Sequence, residues 1–242
     1  MCIIIYMKIS KDILVDKGIT YVQKYPYDDL AKVTKNHKRH YATPDGRQVP
    51  SVTTVLSATK DMTHLHAWRK RIGAEKAQQI TTESANIGTV MHRSLEKHVK
   101  GEDRTPGSNL IQQKAHKMAN VIIDNGLKDI SEVWGSEVSL HYPELYAGTT
   151  DLVGVYKGAP AIMDFKQARK LKKKEWVEDY YLQLTAYALA HNELYGTDIK
   201  EGHVFMCSRD LQYQQFDLWP DEFAEWESKW WDRVYEYYDK FA

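Results

Sequence analysis

The stretch from residue 147 to residue 167, which reads AGTTDLVGVYKGAPAIMDFKQ, constrains the fold of this 242-residue chain more than any other. Residues 145–157 and 161–166 have strand character. The Gly-Ala-Pro turn at 158–160 lies between them, so the two segments are expected to pair as a β-hairpin.

Three charged side chains are expected to meet at the end of this hairpin. Asp164 and Lys166 are two residues apart on a strand and therefore share one face, directly after the apolar residues 161–163. Asp151 lies at the end of the partner strand and can converge with them. Two carboxylates at one point repel each other, and a divalent cation with oxygen ligands is the usual solution. The lysine can then activate water or neutralise charge in a phosphoryl-transfer transition state.

The spacing of Asp164 and Lys166 is not specific by itself. The pattern Asp/Glu-x-Lys also occurs at Asp198-Ile-Lys200, in a predicted turn, and at Glu227-Ser-Lys229, in a predicted helix. Only the first instance follows an apolar strand and an upstream Gly-Thr-x-Asp. A surface ion pair remains the alternative for this pair taken alone.

Two helical patterns add candidate site residues. His92 and Glu96 lie four residues apart in GTVMHRSLE and share a helix face, where they could extend a metal site. A partly buried histidine is the alternative. Gln183 and Tyr187 share a face of a later helix, and a helix surface with a buried tyrosine is their alternative.

The predicted elements define a mixed α/β core with a helical N-terminal lobe, in one domain because no repeat or Gly/Ser linker appears. A first helix should begin near Asp61 and carry an apolar stripe. Its stripe is expected at Leu65, Trp68, Ile72 and Ile80. The expected parts are an irregular extension at 1–60, the helical lobe at 61–126, the sheet core at 132–217 and a C-terminal helix at 220–242. The finer elements are helices at 84–100, 108–125 and 175–195 and strands at 132–142, 202–208 and 211–217.

Charge is balanced in total but uneven along the chain. There are 33 basic and 33 acidic residues, which counts mildly against a nucleic-acid binder. However, residues 166–174 read KQARKLKKK, and residues 32–47 are also mainly basic, whereas the segment 217–242 is acidic. A positive and a negative surface can therefore coexist on one molecule.

Several classes of protein are excluded by composition. Two cysteines, Cys2 and Cys207, are too few for a disulfide scaffold or a four-cysteine iron–sulfur cluster. No apolar run approaches the roughly 20 residues of a membrane-spanning helix. The opening MCIIIYM is too short for a signal peptide and lacks a transit-peptide pattern, so it is interpreted as an edge strand or an upstream extension. The cytoplasm of a bacterium or of a phage-infected cell is the expected location.

Taken in order, the motifs GTxxHxxLE, GTxD, DFK and QLxxY resemble the RecB-type branch of the PD-(D/E)XK nucleases. The resemblance is closer still to the mitochondrial genome maintenance exonuclease group with its phage and bacterial relatives. It covers about residues 39–195, including PSVTTVLSATKD at 50–61 and WRKRIGAEKA at 68–77. It implies a central mixed sheet flanked by helices, as in restriction endonucleases.

The resemblance also assigns roles to the candidate residues. Lys166, Asp164 and Asp151 match the catalytic lysine and the metal-binding acids, and Gln183 and Tyr187 match a motif that positions the lysine or phosphate. The implied ligands of one or two Mg²⁺ or Mn²⁺ ions are His92, Asp151, Asp164 and the backbone carbonyl of Phe165, with more distant roles for Glu96 and Glu137. No iron–sulfur cluster is expected.

The implied function is a metal-dependent exonuclease acting mainly on single-stranded DNA with a free end, in replication, recombination or repair. The expected DNA contacts are basic and aromatic residues next to the site. They are Arg169, Lys170, Lys172, Lys173, Lys174, Trp68, Arg69, Lys70, Arg71 and Trp176, with a solvated loop and core packing as the alternatives. An endonuclease acting on DNA or RNA and a non-catalytic binding module remain alternative functions. The aromatic C-terminal helix could contact a replication or recombination protein, although core packing is favoured.

Overall fold

The computed structural model describes residues 13–15 and 19–241, and the N-terminal MCIIIYM with Cys2 lies outside them. Two sheets and six α-helices make up the described residues. The strands are β1 (Ile13–Val15), β2 (Ile19–Tyr21), β3 (Lys32–Lys35), β4 (Lys38–Ala42), β5 (Gln48–Pro50), β6 (Ile130–Tyr142), β7 (Tyr146–Tyr156), β8 (Ala159–Ala168), β9 (Glu201–Ser208) and β10 (Tyr213–Leu218). The helices are α1 (Val52–Thr59), α2 (Thr63–Ile72), α3 (Ala74–Val99), α4 (Leu110–Asn125), α5 (Glu178–Tyr195) and α6 (Pro220–Phe241).

The central sheet is mixed, as the sequence predicts. Its seven strands run in the order β1-β2-β6-β7-β8-β9-β10, and β3, β4 and β5 form a separate three-stranded sheet. The β6-β7-β8 segment is an antiparallel meander, whereas β9 lies parallel to β8. A parallel neighbour requires a crossover connection, and α5 provides it.

Helices cover both faces of the central sheet. One buried cluster joins α1, α5 and α6 to the sheet, and a second joins α3 and α4 to it. Burial on both faces explains why β8 begins with apolar residues on successive positions rather than on alternate ones. The prediction of a central mixed sheet flanked by helices is therefore confirmed.

The helix ends follow local sequence signals. Asn109 caps α4 by accepting a hydrogen bond from the Gln112 backbone N–H, and the Gln112 side chain accepts one from Asn109 in return. Gly196 ends α5 in the left-handed conformation, at φ 63°, as its position in the sequence predicts.

The N-terminal part of the chain differs from the expectation of an irregular segment at 1–60. It holds α1, the short strands β1 and β2, and the β3-β4-β5 sheet. The strands have three to five residues and lack a clear alternation of polar and apolar side chains, so the pattern gives little signal. Ser51 caps α1 by accepting from the Thr54 backbone N–H, a signal that the sequence contains.

The predicted apolar stripe along the first helix is wrong. No residue of α2 is buried, and Leu65 is 36% exposed. The predicted division between a first helix that reaches Ile80 and a second helix at 84–100 is also wrong, because the first helix ends at Ile72 and Ala74–Val99 form one continuous helix, α3, of 26 residues. The turn expected at 158–160 is also shifted, because Ala159 already begins β8.

Core packing is the main role of the aromatic C-terminal helix. Trp230, Phe223 and Tyr237 of α6 are buried in the main cluster. Tyr235 and Phe241 remain exposed. Among the helices of the described residues, none has the length and apolar composition that crossing a membrane requires.

Candidate active site

The predicted site residues meet where β7 and β8 approach α3 and α5. The hairpin register pairs Leu152 with Met163. Asp151 and Asp164 are the next residues on the two strands and are therefore neighbours across the hairpin. Asp151 and Asp164 are both buried. The expected convergence of these two acids with Lys166 is therefore present in the structure.

Asp151 is held by two contacts that fix its carboxylate. Its Oδ2 accepts a hydrogen bond of 2.6 Å from the backbone N–H of Phe165. Its Oδ1 lies 3.1 Å from Nδ1 of His92 on α3. The helix and the hairpin are thereby joined at the site, although they are 59 residues apart in sequence.

Gln183 on α5 connects the other two charged groups. Its side-chain amide donates to Asp164 Oδ1 at 3.1 Å, while its carbonyl oxygen accepts from Lys166 Nζ at 3.1 Å. Lys166 also forms an ion pair with Asp164 Oδ2. One amide therefore fixes both members of the pair, a contact that the helix-surface alternative does not include.

Two glutamates lie at the outer side of this cluster. Ligand atoms of His92, Glu137 and Asp151 lie within 4.8 Å of one another, so these three could share a metal ion. Glu137 has a positive φ of 54° and lies in β6 just after its register shifts, which re-aims its side chain. Glu96 lines the cleft beside His92, but its carboxylate pairs with Lys100 at 2.6 Å.

The acidic environment shifts the pKa of most site groups. Burial lowers the pKa of His92, but the Asp151 carboxylate outweighs it and raises this pKa to about 9. Burial and the Asp151 charge raise the pKa of Glu137 to about 7. Burial raises the pKa of Asp164 to about 6 even though Lys166 opposes it. The pKa of Asp151 is lowered because His92 outweighs the effect of burial.

Tyr187 forms the floor of the site and is buried. Burial, followed by the charge of Asp164, raises the pKa of its hydroxyl well above the usual value. A Cβ at Gly148 on β7 would lie 2.7 Å from a ring carbon of Tyr187. The glycine of the Gly-Thr-x-Asp motif is therefore needed for the close approach of this ring.

The structure adds five residues of the N-terminal elements that the sequence analysis did not assign to the site. The acids, Lys166, Gln183 and Tyr187 line a cavity of about 200 Å³. The N-terminal elements line it with Lys32, Arg39, Tyr41, Ser51 and Thr53. Two sequence signals pointed to these residues, the basic excess at 32–47 and the PSVTT segment. The second contributes to the family resemblance, but the resemblance assigns it no function.

The N-terminal elements are attached to β7, the strand that contains Asp151. The Tyr41 hydroxyl lies 3.1 Å from Thr149 Oγ1, and Ser51 forms a parallel bridge with Ala147. The backbone oxygen of Arg39 accepts from the Ser51 N–H at 3.0 Å and from Thr54 Oγ1 at 2.8 Å. The Arg39 side chain is exposed and has no ion-pair partner within residues 19–241.

The predicted DNA-contact residues are only partly brought together. Trp68, Arg71 and Trp176 line one groove of about 1170 Å³, and Trp176 is 59% exposed. The same groove carries four acids, Asp61, Glu175, Glu178 and Asp179. Arg69 and Lys70 are exposed on α2 but do not line it.

The residues of the basic run after β8 differ in whether they have a partner within the protein. Lys172 Nζ donates to the Tyr180 hydroxyl at 2.5 Å. Lys173 pairs with Glu175 at 3.6 Å, and Lys174 with Glu222 at 3.3 Å. Arg169 and Lys170 are exposed and have no ion-pair partner in the part of the chain that the structure describes.

The donor set suits a hard divalent cation. Carboxylate oxygens and one imidazole are ligands that Mg²⁺ and Mn²⁺ accept, and Asp151 and Asp164 bring two carboxylates into a buried, mutually repelling position. The backbone carbonyl of Phe165 is next in chain to Asp164, and its role as a ligand stays a prediction.

Comparison with known proteins finds two similar curated sequences. No family model matches the chain. It is 26% identical over 208 residues to mitochondrial genome maintenance exonuclease 1 of Mus musculus, which covers 79% of this chain and 60% of that protein. The Homo sapiens protein of the same name is 25% identical over 208 residues, covering 79% and 59%. The chain spans about three fifths of the length of these relatives.

One solved structure is also similar. The crystal structure of a candidate exonuclease from Eubacterium rectale aligns with a TM-score of 0.47 and 14% sequence identity, over 63% of each chain. The sequence similarity to the two mitochondrial exonucleases supports a relationship of this chain with the nuclease superfamily, at low identity.

Proposed function

We propose that this protein is a metal-dependent deoxyribonuclease that hydrolyses phosphodiester bonds from a free end of single-stranded DNA. The observation that carries the proposal is the convergence of Asp151, Asp164 and Lys166 with His92 and Gln183 in one cavity. The exonuclease names of the two curated relatives agree with it.

The metal would be held by His92, Asp151 and Glu137, whose ligand atoms lie within 4.8 Å of one another. Asp164, beside Asp151 on the neighbouring strand, would add a further carboxylate. A divalent cation there would supply Lewis-acid activation of the attacking water and of the phosphodiester. Mg²⁺ and Mn²⁺ both fit the donor set, and the number of ions stays open to measurement.

The protein's own groups would position the substrate. Gln183 would hold Lys166 beside Asp164, so that the ammonium is directed at the reacting phosphate. Lys32 and Arg39 would bind non-bridging phosphate oxygens from the opposite wall of the cavity, where a planar guanidinium can form two parallel hydrogen bonds. Tyr187 would exclude water from the floor.

A preference for single strands is supported by the groove between Trp68 and Trp176. Unpaired bases can stack on aromatic side chains, whereas paired bases cannot. The acids in the groove disfavour phosphates there, so the groove is proposed to hold bases while the phosphates follow Arg39 and Lys32. α1 separates the groove at Thr59 from the site at Thr53. A helix of eight residues spans about 12 Å, so one strand could reach both places.

A digestion time course tests the function. The substrates are end-labelled linear single-stranded DNA, the same sequence circularised, and linear duplex, each with Mg²⁺, Mn²⁺ or chelator. The inactive variants are Asp164→Ala and Lys166→Ala. Asp198→Ala is the matched control, because Asp198 and Lys200 repeat the spacing in an exposed ion pair of 2.9 Å.

The expected result is metal-dependent loss of the linear strand by wild type and Asp198→Ala, with the circle intact and both site variants inactive. Labelling each end in turn gives the polarity. Cutting of the circle would replace the exonuclease with an endonuclease. No cutting of DNA would direct the test to RNA, and no cutting of either would leave a nucleic-acid-binding module. A role in replication, recombination or repair and a cytoplasmic location stay predictions.

A further inference from the structure

A second cationic cavity lies beside α3, in the helical lobe. Its volume is about 160 Å³, and its charged or titratable walls are Arg93, Lys97, Arg104 and His116. No aspartate or glutamate lines it. None of the groups assigned to the candidate active site is part of it.

Arg104 is fixed in this cavity by neutral partners. Its Nε donates to the Ser94 backbone oxygen at 2.9 Å, and its Nη2 donates to Ser94 Oγ at 3.1 Å and to Asn120 Oδ1 at 2.8 Å. Nη1 has no acceptor within residues 19–241. The guanidinium is half-buried and rigid, and it keeps part of its hydrogen-bonding capacity.

The positive charges in this cavity are not compensated locally. Across residues 19–241, no carboxylate forms an ion pair with any of the four groups. Arg93 and Lys97 are four residues apart on α3, a spacing at which like charges destabilise a helix. Burial and the charge of Arg104 lower the pKa of His116. The Asp124 carboxylate acts on Arg104 only at a distance.

Arg93 connects this cavity to the candidate active site. It lines both the cationic cavity and the cleft that contains His92, Glu96 and Glu137. His92 and Arg93 are consecutive on α3, so their side chains point about 100° apart around the helix. An extended anion leaving the metal site can therefore follow Arg93 around α3.

We infer that this cavity binds a phosphate group. Three features of this cavity favour a tetrahedral oxyanion. They are the half-buried, forked guanidinium of Arg104, the two flexible cations Arg93 and Lys97, and the absence of a lining acid. The phosphate comes either from the backbone of the strand held at the active site or from free phosphate in solution. The first source rests on the proposed nuclease function, and the second does not.

Two measurements separate these sources, both in chelator so that no cleavage occurs. The first is the thermal midpoint of the full chain in 10 mM inorganic phosphate against chloride at equal ionic strength. The second is the affinity for a labelled 12-nucleotide single strand as a function of salt. The variants are Lys97→Gln and Arg104→Gln. Lys117→Gln is the matched control, because it removes one positive charge from an exposed position of α4 outside the cavity.

Phosphate is expected to raise the midpoint of wild type and Lys117→Gln, and both cavity variants are expected to lose at least half of this rise. If the backbone is the source, the cavity variants also bind the strand about 3- to 10-fold more weakly. Their slope of log affinity against log salt falls by about 0.7 for each phosphate that the protein no longer neutralises. Loss of the midpoint rise with unchanged DNA affinity assigns the cavity to free phosphate.

The inference is wrong if Lys97→Gln behaves as Lys117→Gln in both measurements. Among the described residues, the Lys97 ammonium has one hydrogen-bond partner, the Asp103 backbone oxygen, so the Lys97→Gln variant should keep the fold even if Arg104→Gln unfolds the lobe. If wild type cuts no nucleic acid but phosphate still raises its thermal midpoint, the nuclease proposal is refuted and the phosphate cavity is supported. If wild type cuts DNA but phosphate does not raise its midpoint, the nuclease proposal is supported and the phosphate cavity is refuted.

Discussion

Metal binding at the candidate site should release protons, and the number can be worked out from the structure. With pKa values of about 9 for His92, 7 for Glu137 and 6 for Asp164, these groups together hold about 1.6 protons at pH 7. Metal ligands bind in their deprotonated form. The apparent metal affinity should therefore rise about 40-fold per pH unit near neutrality.

The same shifts predict the stability of the metal-free protein. All three pKa values are raised above their unfolded values, so the folded state holds more protons than the unfolded chain. The contribution of His92 is fully present below pH 6.5 and is lost as the pH rises through about 9. The contribution of Asp164 is lost as the pH rises from 3.8 through about 6, and that of Glu137 as it rises from 4.5 through about 7. Between pH 7 and 8.5 the free energy of unfolding should fall by on the order of 1–2 kcal/mol per pH unit.

Calorimetric titration with Mn²⁺ measures the proton count directly, when it is repeated in buffers of different ionisation enthalpy. Glu137→Gln should release about half a proton fewer at pH 7 than wild type, and His92→Asn about one fewer. Thermal midpoints in chelator between pH 7 and 8.5 measure the stability arm. Release of fewer than about 0.5 protons by wild type, or a metal-free midpoint that rises with pH, would refute the reasoning.

Three further outcomes follow from the site geometry. Gly148→Ala should cost about 1–3 kcal/mol by displacing Tyr187, as measured by denaturant unfolding; an unchanged midpoint would show that the ring has room. Gln183→Ala removes the amide that fixes the lysine and the aspartate, so kcat on single-stranded DNA should fall about 10- to 100-fold at similar KM; a rise in KM alone would contradict a positioning role. Arg39→Gln should raise KM about 10-fold at unchanged kcat, because Arg39 lines the cavity. Arg47→Gln should leave KM unchanged, because Arg47 pairs with Asp45 and Glu144 outside the cavity. Equal effects of the two substitutions would show that both act through long-range charge.

The two strands of the candidate site, β7 and β8, could be predicted from the sequence because their signals are local. An apolar strand, a turn and two acids at fixed offsets define a hairpin and its face, so the sequence alone places Asp151, Asp164 and Lys166 together. The contact of Asp151 with the Phe165 backbone follows from the hairpin register, which turn position alone does not determine.

The N-terminal elements could not be predicted in the same way. Their strands are short, and their order in space depends on contacts with β7 more than 90 residues later in the chain. The helix α2 has a partly apolar sequence but no buried residue, so its pattern gives a misleading core stripe. Periodicity reports which face a segment could bury, and only tertiary packing decides whether a partner is there.

These N-terminal elements are where the choice between cutting an end and cutting within a strand is expected to lie. In the proposed nuclease, Asp151, Asp164 and Lys166 would carry the chemistry, and such a set can host either activity. Their cavity is closed on one side by the β3-β4-β5 sheet and α1, which are attached to β7 at Ala147 and Thr149. In the proposed nuclease, a strand would reach the acids between this wall and α3, and the width of that passage would decide whether a circle can enter. Under this proposal, access is controlled by the part of the chain whose sequence signal is weakest.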